Sequence, residues 1–95
     1  YEPVVLKFRS NDDVLIVYPN PVREELTVTL LTEKSGPVEI QITDITGRKI
    51  LVRKGTGITG GVSVTKINCS PLRPGVYFVR VISDGEFNVA KIEKQ

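Results

Sequence analysis

The chain has 95 residues, with 13 Lys and Arg against 11 Asp and Glu, no histidine and one cysteine. That length sets one domain with a thin core. The formal charge of +2, with both signs interspersed, does not mark a nucleic-acid binder, and no apolar run is long enough to span a bilayer.

The same composition argues against catalysis. Without histidine there is no general base tuned near neutral pH, so Ser70 and Cys69 lack the usual activating partner. Glu24 and Glu25 are sequence neighbours, and on an extended strand they point to opposite faces, which makes a poor acid/base pair. A single cysteine forms no internal disulfide and gives zinc too few thiolates, so Cys69 reads as a small buried apolar residue. No cofactor or metal is expected.

Residues 1–13 read as a linker or preceding segment, and residues 14–95 as the domain body. Val4-Val5-Leu6-Lys7-Phe8 is strand-like without alternation, and Arg9-Ser10-Asn11-Asp12-Asp13 is polar. The oxygens of Asn11, Asp12 and Asp13 could face a calcium ion. The glycine and later glutamate of an EF-hand are missing, which favours a solvated linker. The chain opens with no basic-plus-apolar leader and so reads as a piece of a longer polypeptide.

Val14-Leu15-Ile16-Val17-Tyr18 is a short apolar run stopped by Pro19-Asn20-Pro21. Two prolines around an asparagine cannot continue a ladder, because neither ring nitrogen can donate. The tripeptide is a stiff bend, either a plain turn or a rigid exposed corner that a partner recognises. Residues 26–30 and 38–43 alternate apolar and polar, as antiparallel strands with one wet face do. Between residues 44 and 48, Asp44 can bond forward to the backbone and Gly47 can take a left-handed conformation, which predicts a turn.

Residues 49–53 return as a strand. Arg48, Lys49, Arg53 and Lys54 form a basic cluster that either protects a sheet edge or meets an anionic partner such as a glycolipid head. Residues 55–61, rich in glycine, are the loosest stretch, with no phosphate-loop lysine behind them. Residues 62–67 alternate again, with Val62 and Val64 on one face.

Pro74-Gly75 turns into Val76-Tyr77-Phe78-Val79-Arg80-Val81-Ile82, a run apolar on both faces apart from Arg80. Such a strand is central in its sheet, with something packed on each side. Asp84-Gly85 closes a hairpin, and residues 86–92 run back. Every proline and glycine falls between the proposed strands or opens one. The fold class is all-β, an immunoglobulin-like antiparallel β-sandwich of about seven strands.

Five motifs in order then carry a resemblance: Val17-Tyr18-Pro19-Asn20-Pro21; Leu26-Thr27-Val28; Asp44-Ile45-Thr46-Gly47-Arg48; Ser70-Pro71-Leu72-Arg73-Pro74-Gly75-Val76-Tyr77-Phe78-Val79-Arg80-Val81; and Lys91-Ile92-Glu93-Lys94-Gln95. Together they resemble the C-terminal sorting domain of the type IX secretion system, from about Val14 to Gln95. One departure is Asn68, where many members carry an aspartate. The resemblance implies a domain at the end of secreted or surface proteins of Gram-negative bacteria. Such a domain addresses folded cargo in the periplasm to an outer-membrane translocon, and a sortase-like peptidase then removes it at the cell surface. The cargo is in some cases joined to an anionic lipopolysaccharide.

By this resemblance, translocon recognition would fall to Gly47, Gly75, Tyr77, Lys91, Lys94 and Gln95, with Pro19, Asn20 and Pro21 as a rigid N-terminal corner. Gly75 also has a purely conformational reading, Tyr77 a core-packing one, and Lys91 one in which its stem covers the core rim while its head reaches water. An exposed terminal strand would offer unpaired donors and acceptors for β-augmentation, and the same edge would permit strand-exchanged homodimers. Cleavage is expected in the linker, residues 1–13. The alternative function is a retained adhesive or carbohydrate-binding accessory sandwich, which would want exposed aromatics or a calcium loop.

Overall fold

A computed structural model describes residues 4–6 and 13–95. They form eight strands: β1 (Val4–Leu6), β2 (Val14–Tyr18), β3 (Glu25–Leu31), β4 (Val38–Asp44), β5 (Lys49–Lys54), β6 (Val62–Asn68), β7 (Gly75–Ser83) and β8 (Glu86–Lys94). All pairings between these strands are antiparallel. One sheet has the order β1-β2-β3-β6 and the other β5-β4-β7-β8. The chain therefore crosses between sheets after β3, β5 and β6, which is the immunoglobulin-like arrangement. The seven strands expected within residues 14–95 are present. β1 is an addition from the segment read as linker, where Val4 pairs with Val17 and Leu6 with Leu15.

Period-two patterning fixes the core. Leu15 and Val17 from β2 and Leu26, Val28 and Leu30 from β3 face Val38, Ile40 and Ile42 from β4, Val79 and Val81 from β7, and Ala90 and Ile92 from β8. Each is buried, and each larger side chain contributes about 1.5–3 kcal/mol by leaving water. β7 is central, as its composition requires, between β4 and β8. Only its Tyr77, Val79, Val81 and Ser83 row is buried. Val76, Phe78, Arg80 and Ile82 are half-exposed on the outer face, where the Arg80 guanidinium lies 4.0 Å from the Phe87 ring centroid.

β6 faces the opposite way from what its valines suggest. Ser63, Thr65 and Ile67 are buried, while Val64 is 44% exposed and Val62 half-buried. Pairing with β3 places Ser63 beside Leu30, Thr65 beside Val28 and Ile67 beside Leu26, so the hydroxyl row shares the core face. The reason lies in the glycine-rich crossover. Its backbone needs partners there: the Thr56 amide donates to Thr65 Oγ1 at 2.9 Å, and the Ser63 hydroxyl donates to the Thr56 carbonyl. Gly55 N donates to Val38 O at 2.7 Å and Ile58 N to Gly36 O at 3.1 Å. The stretch that looked loosest is thus pinned by main-chain bonds.

Candidate functional site

β2, β4, β6 and β8 finish, and β3, β5 and β7 begin, at the same end of the sandwich. The pairings Tyr18 with Thr27, Glu25 with Asn68, Asp44 with Tyr77 and Gly75 with Lys94 place them there. This brings together the 19–22 corner, the 44–48 turn, the 69–75 corner and the terminal residues. Pro19, Asn20, Pro21, Gly47, Gly75, Tyr77, Lys94 and Gln95 therefore gather at one end, although they span most of the chain. Lys91 lies further along β8, exposed on the outer face opposite Phe78.

The corner and the terminal strand are joined. Both Tyr18-Pro19 and Asn20-Pro21 are cis peptides. The Asn20 carboxamide faces β8: Glu93 N donates to Asn20 Oδ1 at 2.9 Å, and Asn20 Nδ2 donates to Lys91 O at 3.4 Å. Next to it Val22 N donates to Glu93 O at 2.8 Å and Gln95 N to Val22 O at 2.9 Å, forming a parallel bridge between Val22 and Lys94. This corrects the expectation of an unpaired terminal edge for residues 91–95, although β8 remains the outer strand of its sheet. The main-chain groups at Glu93, together with Lys91 O and Gln95 N, are already satisfied from within the domain. The corner is a clip as well as a turn. The sequence signal that could have revealed it is the asparagine between two prolines, since its carboxamide offers the donor and acceptor that a proline-flanked backbone lacks.

Gly47 and Gly75 hold their positions for conformational reasons. Their φ angles are +88° and +153°, and a Cβ at either would meet nothing within 4 Å. Around Gly47, the Asp44 carboxylate accepts from Thr46 Oγ1 at 2.6 Å, Thr46 N at 2.9 Å and Arg48 N at 3.0 Å. The Thr46 hydroxyl first, then the backbone amides and the Arg48 cation, hold its carboxyl below the usual 3.8 against some desolvation.

Tyr77, 8% exposed, donates its hydroxyl to Arg73 O at 2.7 Å, four residues upstream at the β6–β7 corner. This is the geometry of a tyrosine corner. Tyr77→Phe should leave that carbonyl unpaired and cost about 1 kcal/mol, lowering the thermal midpoint by about 4–8 °C in a domain of this size. Thermal unfolding followed by far-UV circular dichroism checks it. Asn68 Oδ1 accepts from Ser70 N at 3.0 Å and Ser70 Oγ at 2.6 Å, an acceptor role that an aspartate would also fill.

Lys94 is not displayed. It is 7% exposed on the inner face of β8, and its ammonium donates to Gln95 O at 2.9 Å. Burial pushes the nearby Cys69 thiol up, and the Lys94 charge pulls it partly back. The free thiol is fully buried, as its apolar reading required.

At the opposite end Asp13, read with the solvated linker, is 3% exposed and ion-paired to Lys34 at 2.6 Å. Lys34 also reaches Glu86 at 2.8 Å, and Asn88 Nδ2 donates to Asp13 Oδ2 at 3.4 Å. Asn11 and Asp12 lie outside the described residues. Among the described residues no cluster of three His, Cys, Asp or Glu is placed to hold a metal ion, and no helix is long and apolar enough to cross a membrane.

The fold is thus an all-β, two-sheet sandwich in which loops from distant parts of the chain meet at one end. The family model described as secretion system C-terminal sorting domain matches residues 16–95, and the chain belongs to that family. It is a non-catalytic C-terminal sorting signal of type IX secretion, which directs proteins to the outer membrane and beyond. No curated protein matches the chain. Among solved structures, an endo-β-1,4-mannanase from Thermotoga petrophila is similar with a TM-score of 0.57 at 11% identity, over 94% of this chain and 20% of that one. The likeness shows the sandwich fold alone, and the chain spans about a fifth of that enzyme's length.

Proposed function

We propose that this domain is a removable export address, read at the end where the corner, the 44–48 turn, the 69–75 corner and the terminal strand meet. An outer-membrane translocon engages that end, and a sortase-like peptidase then cuts within residues 1–13. The observation that supports this is the convergence of Pro19, Asn20, Pro21, Gly47, Gly75, Tyr77, Lys94 and Gln95 on one end of the sandwich from four separate stretches of chain, with Tyr77 and Lys94 buried there. A protease needs extended, unpaired backbone, and Val4–Leu6 is paired with β2, so the cut falls outside β1.

The test fuses this chain to a periplasmic reporter in a host that carries the secretion system. Reporter in the medium or on the cell surface, with mass spectrometry showing loss of residues 14–95, supports the reading. Reporter retained in the periplasm overturns it. Strand exchange through the terminal edge would first have to release the bonds that Asn20 and Val22 make to β8, so light scattering of the isolated chain should return a monomer.

A further inference from the structure

A recess opens at the recognition end between the β4–β5 turn and the β6–β7 corner, lined by Arg48, Ile50, Pro71, Leu72, Arg73 and Tyr77. Its lining is mixed: Ile50 and Pro71 offer exposed apolar surface, and the two arginines are exposed beside them. The geometry points to this recess as the docking site for an acidic segment of a protein partner, which sets a carboxylate against Arg48 and Arg73 and an apolar side chain onto Ile50 and Pro71. The inference rests on the export reading above and names the chemistry of what reads the address.

Three observations carry it. The first is the set of family positions around the recess, each of which builds its rim. Gly47 at φ +88° closes the turn that presents Arg48, Gly75 at φ +153° follows the loop bearing Arg73, and the Tyr77 hydroxyl fixes the Arg73 carbonyl at 2.7 Å. A recess framed by a turn, a corner and a tyrosine bond has a preset shape, which lowers the ordering cost of binding.

The second is charge. The Arg48 side chain is 77% exposed, and its contact to Asp44 is a 3.3 Å surface pair within one turn, of the kind that exchanges partners at little cost. No described carboxylate pairs with Arg73, which is exposed. Two guanidinium groups beside one depression suit a carboxylate, which arginine holds with paired hydrogen bonds.

The third is the mixed lining. An inorganic anion or a lipid phosphate has no use for the apolar part of the lining, which includes Ile50, 36% exposed, and the exposed Pro71. A peptide that alternates acidic and apolar side chains uses both halves. A desolvated apolar centre with an arginine rim is also the usual anatomy of a protein interface.

The experiment compares reporter fusions in a host with the secretion system, using chains shown to fold by circular dichroism. Arg48→Glu/Arg73→Glu should lower export at least about tenfold, Ile50→Ser should lower it several-fold, and Arg48→Lys/Arg73→Lys should retain most of it. Arg53→Glu/Lys54→Glu, on the far half of the same edge strand, should export as the parent does. Normal export of the folded Arg48→Glu/Arg73→Glu fusion, with the parent fusion exported and a reporter lacking the domain retained, overturns this inference and leaves the export reading standing. Retention of the parent fusion overturns both. Binding of the purified chain to vesicles of phosphatidylcholine with anionic phospholipid, lost in the Arg48→Glu/Arg73→Glu variant, would make the occupant a lipid head and would also overturn it.

Discussion

Deleting residues 91–95 is expected to unfold the domain, and so to abolish export for a reason that says nothing about recognition. Ile92 is 1% exposed, faces the core and pairs with Tyr77 across the β7–β8 ladder. Its loss alone costs about 2–5 kcal/mol, on the scale of Ile→Ala changes in packed cores. The deletion also removes the ladder partners of Gly75, Val76 and Phe78 and everything that the 19–22 corner holds. A domain of this size has about 5–15 kcal/mol in total, so little remains. Urea denaturation of the truncated chain should show no cooperative transition; a transition within about 2 kcal/mol of the parent would contradict the packing described above. Asn20→Ala is the cleaner probe. It removes two side-chain bonds to β8 and should cost about 1–2 kcal/mol while the fold persists. The Glu93 amide should then exchange with solvent markedly faster. Unchanged exchange there would mean that the corner does not clip the strand.

Much of the molecule was legible because alternation is a direct record of which face meets the core. The core faces of residues 26–30 and 38–43 read correctly for that reason, although Thr27 and Gln41 on the opposite faces are buried and not wet, and the turn at Asp44 and Gly47 followed from side-chain chemistry alone. In β6 alternation places Val62 and Val64 on one face but does not say which face meets the core, and hydropathy alone would have chosen theirs over that of Ser63 and Thr65. The choice was made by the backbone of a crossover that needed hydroxyl partners, which is a tertiary fact. Lys94 was named only through the family resemblance. Its place on the inner face follows from alternation with Asn88, Ala90 and Ile92. The family positions were identifiable one by one. Their convergence was not, because it depends on which strands share an end, and the order β5-β4-β7-β8 is set by pairing between segments far apart in sequence. Asp13 was read with the linker because its neighbours are polar. Its partners Thr32, Lys34 and Asn88 come from two other segments, the loop after β3 and strand β8, so no local pattern announces them.

That network supplies the second large effect. Burial works against a charge on Asp13, but hydrogen bonds from Lys34, Thr32 and Asn88 and the attraction of the ammonium outweigh it, and the carboxyl titrates below 3.8. Lys34 moves the opposite way, above 10.5: burial opposes its charge, and the bonds to Asp13 and Glu86 overcome that. A carboxyl whose folded-state value is depressed stabilises the fold above its unfolded value, and that stability is lost as pH falls through the folded value. A raised lysine stabilises below 10.5, and that contribution is lost as pH rises through its folded value. Between about pH 5 and 9 both contributions are therefore fully present. Lys34→Met should cost about 2–4 kcal/mol at neutral pH, because Asp13 keeps its burial and loses its cation. The deficit should shrink below about pH 4, where protonation removes the buried charge in the variant while the parent loses its ion pair. Parent and variant stability curves, measured by urea denaturation from pH 3 to 8, should converge on the acid side. A deficit that stayed constant across that range would show that the lysine acts through packing of its stem and not through the Asp13 carboxylate.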